Sequence, residues 1–202
     1  MMGRMGTQHA GSAGQGSLVI RSDRGRVGTL VISAMAAVIV VLQAWQGPVE
    51  VALRYAVVPA LVVWVVYLMW SAASVRLDAD GLTLRNPFVT RRLPWSLVTG
   101  AESRWGLVVE AGGRRWSAWA APARGSYRQA ARDAALPDLG LPPAGEETYI
   151  DLDARAAARL VRQESERRRP PQAAAQVTAS VNVVEVGVLG LLAVGAALAI
   201  LL

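Results

Sequence analysis

The stretch VRLDADGLTLRNPFVTRRLPW, Val75–Trp95, follows without a linker on YAVVPALVVWVVYLMWSAAS, Tyr55–Ser74. In the first, Val75 and Leu77 alternate with Arg76 and Asp78, and Leu82 and Leu84 alternate with Thr83 and Arg85. A period of two is the pattern of strands with one buried face. Asp78–Gly81 and Asn86–Pro87 carry turn residues between the runs. The stretch therefore predicts strand, turn, strand, turn and a third strand over Val89–Leu93. The preceding segment carries no charge, so a β-meander begins where an apolar helix ends.

Toward the C-terminus, LVVEAGGRRWSAW at Leu107–Trp119 predicts a hairpin. With Gly112–Gly113 as a two-residue loop, Glu110 opposes Arg115 and Val109 opposes Trp116, which pairs charge on one face and apolar groups on the other. GSYRQAARDAAL, Gly125–Leu136, has Ser126 and Gln129 at capping-box spacing and predicts a helix. After the Pro- and Gly-rich loop 137–145, Thr148 and Asp151 open a second, cationic helix. Leu152, Ala156, Leu160 and Val161 fall on one side of it, and Arg155, Arg159 and Arg162 on the other.

Flanking these are three apolar runs, Val27–Trp45, Tyr55–Ala73 and Val183–Leu202, each close to the roughly 20 residues that cross a bilayer core. The first follows a long polar lead and precedes no small-x-small cleavage pattern, so it is expected as a retained anchor. Arg4, Arg21, Arg24 and Arg26 precede the first run, and Arg54 alone occupies the loop after it. Arg76, Arg162, Arg167, Arg168 and Arg169 lie between the second and third. This asymmetry places the N-terminus and the middle region in the cytoplasm at the cell membrane.

The formal net charge is +6, and all 21 basic residues are arginine. No recognition-helix or stacking motif accompanies that charge, so nucleic acid is not the expected partner. Without cysteine, and with His9 as the single histidine, thiolate chemistry and histidine triads have no material. DADG begins like a calcium loop, but the twelfth position from Asp78 is Val89, which has no oxygen to offer. Asp151 and Asp153 stand at a helix start, where capping explains a carboxylate better than catalysis does. No nucleophile elbow or phosphate loop is present. Neither an enzyme, a cofactor nor a metal centre is expected.

The order of elements, and above all DADGLTLRN and RRLPWSLV, resembles the bacterial pleckstrin-homology-like (PH) domains of actinobacterial membrane proteins. The resemblance covers Ser74–Pro122 and implies a partly open antiparallel barrel capped by a helix. The expected fold is an α+β membrane protein, with residues 1–26 as a disordered cytoplasmic tail and 27–73 as a two-helix transmembrane hairpin. Residues 74–136 form the PH-like domain with its capping helix, 137–182 a loop, cationic helix and linker, and 183–202 a third transmembrane helix. The resemblance implies an interaction or scaffolding module that binds a membrane or envelope protein, or a second copy of itself. The alternative is a module for lipid headgroups at the anionic inner leaflet. Eukaryotic relatives hold inositol phosphates with basic residues around the first hairpin, whereas this turn is acidic.

Candidate contact residues follow from these patterns. Arg91, Arg92, Arg114 and Arg115 form either a solvated face or a headgroup contact, as do Arg155, Arg159 and Arg162. Trp95, Trp105, Trp116 and Trp119 supply a small core, with Trp116 expected inside. Trp119, on the opposite strand face, is left between core and a surface turned to partner or membrane. Ala193 and Ala197, and likewise Gly195 and Ala199, have the small-xxx-small spacing that lets helices approach.

Overall fold

A computed structural model of the chain describes residues 16–122, 141–143, 145–168 and 175–201. Among the described residues, three helical segments are long and apolar enough to cross a membrane: Asp23–Gln46, Val49–Trp70 and Val183–Leu201. The first is helix α1. Ser22 caps it, accepting a hydrogen bond from the Gly25 amide, so the helix starts four residues before the uncharged run. The second is broken into α2 (Val49–Tyr55) and α3 (Val57–Trp70). Pro59 lacks the amide that would bond back to the Tyr55 carbonyl, and the break falls at Ala56.

Among the described residues the chain also forms two sheets. The larger has six strands in the order β8-β1-β2-β3-β4-β9, and the smaller has three in the order β5-β6-β7. The meander of the sequence reading is β2 (Ser74–Leu77), β3 (Gly81–Arg85) and β4 (Val89–Pro94). A 3-10 turn over Trp95–Leu97 carries the chain to β5 (Val98–Glu102), β6 (Gly106–Ala111) and β7 (Arg114–Pro122). The β6–β7 register is the one read from sequence, with Glu110 opposite Arg115 and Val109 opposite Trp116. Gly112 and Gly113 have φ of 59° and 72°, both in the left-handed region that such a loop needs and that glycine adopts without strain.

Three expectations need correction. Residues 17–20 are not tail: Ser17–Ile20 is strand β1, pairing antiparallel with β2 and parallel with β8 (Glu147–Ile150). Leu18, Val19 and Ile20 are all buried. SLVI is too short an apolar run to announce itself, and its partners lie far along the chain. Thr148 therefore belongs to a strand, and the cationic helix starts later, as α4 (Ala154–Arg167). Asp153 is its cap, accepting from the Ala156 amide at 2.8 Å. Finally, the linker before the third apolar helix contains β9 (Thr178–Val181), which pairs with β4. The helix expected over Gly125–Leu136 lies outside the described residues.

The core lies between the two sheets and α4. Leu18, Ile20, Val75, Leu77, Leu82, Leu84 and Leu93 come from the large sheet, and Leu107 and Val109 from the small one. Leu152, Ala156, Leu160 and Val161 come from α4 and its lead. Trp95 sits among them at 1% exposure, and its indole donates to the Asp78 carbonyl at 2.9 Å. Trp116 is only half-buried at the edge of this cluster. Glu164, buried on α4, is paired with Arg167 and Arg168.

Candidate functional site

The strands and helices meet at one end of the large sheet. β1 leads through Arg21 and Ser22 into α1, and α3 leads through Ser71–Ala73 into β2. β9 leads through Asn182 into α5 (Val183–Leu201). Registers place the ends together: Ile20 opposes Val75 and Ile150, Ser74 opposes Arg85, and Val89 opposes Val181. All three apolar segments thus leave from the same edge of one hydrogen-bonded sheet.

Side chains lock this junction. Asn182 donates to the carbonyls of Asn86 and Pro87, at 2.8 and 3.3 Å, and accepts from the Thr90 hydroxyl at 2.8 Å. Arg85 is ion-paired with Glu185 in the first turn of α5. The hydroxyls of Thr29 and Ser71 are 2.8 Å apart and tie α1 to the end of α3. Asn86 donates to the Ser117 carbonyl and accepts from the Trp119 amide, which fastens β7 to the same end. The sequence reading missed Asn182, whose signal is an N-cap residue placed directly before an apolar run.

The acidic first turn, Asp78–Asp80, is at the opposite end. The Asp78 carboxylate accepts from the Asp80 and Gly81 amides, and Arg92 stands 3.6 Å from both Asp78 and Asp80. Arg115 is ion-paired with Glu102 and Glu110. Arg91 lies over the Trp116 ring, 5.0 Å from its centre. Arg114 is exposed beside the Gly112–Gly113 loop, which packs near Val177 ahead of β9 and so also belongs to the far end. Arg155, Arg159 and Arg162 line the outer face of α4. The arginines singled out from sequence thus fall on β4, β7 and α4 and do not form one cluster, and Arg92 and Arg115 are paired with carboxylates of their own domain.

Trp119 is 44% exposed. It stands with Trp70, Met69 and Arg24 around a cavity of about 360 Å³ beside the start of α1. Trp119 is thus not a core residue, and its neighbour Trp70 is the last residue of α3. Trp105, at the tip of β5–β6, is 86% exposed.

In α5, Ala193 and Ala197 are exposed among the described residues. Ala196 and Ala199 are the buried pair, and Gly195 faces Val57. α1 also passes close to the end of α3: a Cβ on Gly25 would lie 2.2 Å from the Trp70 carbonyl oxygen.

Among the described residues no group of three or more His, Asp or Glu side chains is placed to hold a metal ion. Glu147 accepts the Tyr149 hydroxyl hydrogen bond at 2.6 Å, and this bond holds the phenol above its ordinary pKa.

The family model for the bacterial PH domain matches residues 72–177, more than half of the chain. That window runs from the end of α3 to the residue before β9, so it takes in α4, which the sequence reading had placed beyond the domain. No curated protein matches the chain, and no solved structure does. PH domains are in general non-catalytic interaction modules. Two packed sheets closed by a helix, the larger running through three of its strands into three apolar helices, make this a membrane-associated PH-like protein, and the chain belongs to the bacterial PH domain family.

Proposed function

We propose that the protein is a membrane-anchored scaffolding module whose PH domain, on the cytoplasmic face of the cell membrane, docks a membrane or envelope protein. The observation that carries this reading is the shared edge at which β1, β2 and β9 run into the three apolar helices. Such a domain stays at the bilayer with no headgroup affinity of its own, and its effective concentration toward a membrane-bound partner is high. The far end is then left for recognition. There the turn that holds inositol phosphates in eukaryotic relatives is acidic and matched by Arg92. β9 supports a protein partner further. It is an edge strand, exposed along its length, with no strand paired to its outer side among the described residues. Edges of this kind accept an added strand.

A photocrosslinking residue placed at Thr178 or Ser180 of the full-length protein in native membranes tests this. The expected result is one discrete protein adduct, competed away by excess unmodified protein and absent when the crosslinker is moved to Arg159. Adducts of lipid mass alone would refute it.

Headgroup binding by the cationic helix is the second reading. α4 opens a few residues after Ile150, at the helix-bearing end of the sheet. Arg155 is therefore nearest that end, with Arg159 and Arg162 further along by about 5.4 Å per turn. If this face binds lipid, Arg155→Gln lowers the protein's preference for anionic over zwitterionic lipid more than Arg162→Gln does. Equal effects of the two variants would count against it.

A further inference from the structure

A second cavity at the junction, about 330 Å³ in volume, is lined by Arg21, Arg26, Thr29, Tyr67, Ser71 and Arg85. Its three guanidiniums come from separate places: the lead into α1, the first turn of α1, and the last residue of β3. One carboxylate, Glu185, answers them, and it is engaged by Arg85. Arg21 lies over the Tyr149 ring at 4.9 Å. Arg26 is exposed and has no ion pair among the described residues. Among the described residues three arginines and no carboxylate line the cavity. Arg26 also sits near a helix N-terminus, where the helix dipole disfavours a cation and favours an anion.

The position of the cavity narrows the ligand. Arg21 and Arg85 belong to the domain, whereas Thr29, Leu30 and Tyr67 belong to the apolar helices. The lining is therefore cationic on one side and apolar on the other, with the Thr29 and Ser71 hydroxyls between them. That gradient matches the glycerophosphate level of a bilayer, where a phosphodiester meets its acyl chains. Guanidinium groups suit phosphate oxygens because they donate two parallel hydrogen bonds. Among the described residues no carboxylate lines the cavity, so its lining offers no anion to the ammonium of a zwitterionic headgroup.

We infer that this cavity binds the phosphodiester of an anionic membrane lipid, at a site separate from the arginines of β4, β7 and α4. It does not depend on whether the far end docks a protein.

The test uses the full-length protein in nanodiscs of phosphatidylcholine doped with phosphatidylglycerol, with retained lipid counted by native mass spectrometry. Wild type is expected to retain phosphatidylglycerol over phosphatidylcholine. Arg26→Gln should weaken that preference about fivefold, and Arg21→Gln with Arg26→Gln about twenty-fivefold, as expected for loss of one and two surface cations. Arg114→Gln, at the other end of the domain, should leave the preference unchanged. If the double variant does not fold, Arg26→Gln decides alone, since its side chain is exposed. Equal retention of the two lipids would overturn the assignment, as would an Arg114→Gln loss matching that of Arg26→Gln, which would indicate diffuse attraction. Inorganic phosphate added both to protein in pure phosphatidylcholine discs, where binding is read directly, and to protein in the doped discs, where displacement is read, separates the sources. Millimolar or tighter phosphate binding that displaces phosphatidylglycerol would mean a free-ion site and would also overturn the assignment.

Discussion

Trp95→Ala tests where the centre of the core lies. Trp95 is 1% exposed, and a buried tryptophan removes about 150–250 Å² from water. At about 25 cal/mol per Å² that is about 4–6 kcal/mol, of which alanine keeps part, so the expected loss is about 3–5 kcal/mol. Trp95→Phe keeps most of the apolar area. It loses the indole N–H that donates to the Asp78 carbonyl at 2.9 Å, and is expected to cost about 1–2 kcal/mol. Trp116→Ala is the comparison. Trp116 was the tryptophan expected inside from sequence, but it is half-buried, so its loss should also be about 1–2 kcal/mol. Amide hydrogen exchange of the full-length protein in detergent reads these values at Leu82, Leu84 and Leu93, strand positions inside the cooperative core. Trp95→Ala should accelerate their exchange by about two to three and a half powers of ten, at about 1.4 kcal/mol per power. Unchanged exchange in Trp95→Ala, or a larger effect from Trp116→Ala, would refute the placement of the core.

Gly25→Ala should lower the thermal midpoint of the detergent-solubilised protein, at a cost of about 1–3 kcal/mol, because its Cβ would meet the Trp70 backbone at 2.2 Å. Gly47→Ala, whose Cβ meets nothing nearer than 3.7 Å, should leave the midpoint in place. Glu147→Gln should bring ionisation of Tyr149 down toward its ordinary value, since the bond to that carboxylate is the main cause of the raised phenol pKa. In sign, the raised folded value means that the bond's contribution is present in full below the unfolded tyrosine pKa and is lost as pH rises through the folded one. An ultraviolet titration of tyrosinate absorbance, differenced against Tyr149→Phe, reads the shift. Reporters fused near Pro143 and in the loop at Pro48 should read cytoplasmic and external, respectively. The reverse pattern would put the domain outside and remove the anionic inner leaflet from the lipid proposal.

What was legible in the sequence was local. The alternation at Val75–Arg85, the paired glycines at 112 and 113, and the uncharged runs each depend on neighbours within a few residues, and a strand or span written that way needs no distant information. The β6–β7 register follows because one turn fixes it. The resemblance carried by DADGLTLRN and RRLPWSLV identified the family because turn and core residues recur with the fold. Tertiary structure decided the rest. β1 and β9 are four-residue strands whose partners lie elsewhere in the chain, and no local pattern distinguishes such a run from linker. The choice of Trp95 over Trp116 as the core tryptophan depends on the 3-10 turn that swings Trp95 between the sheets. Sequence also counted arginines without placing them. The pairing of β3 with β2 brings Arg85 to the helix-bearing end beside Arg21 and Arg26, while the β3–β4 register sends Arg92 to the acidic turn. Charge is a property of a residue, but a charged site is made by strand registers, and those are settled only when the whole sheet closes.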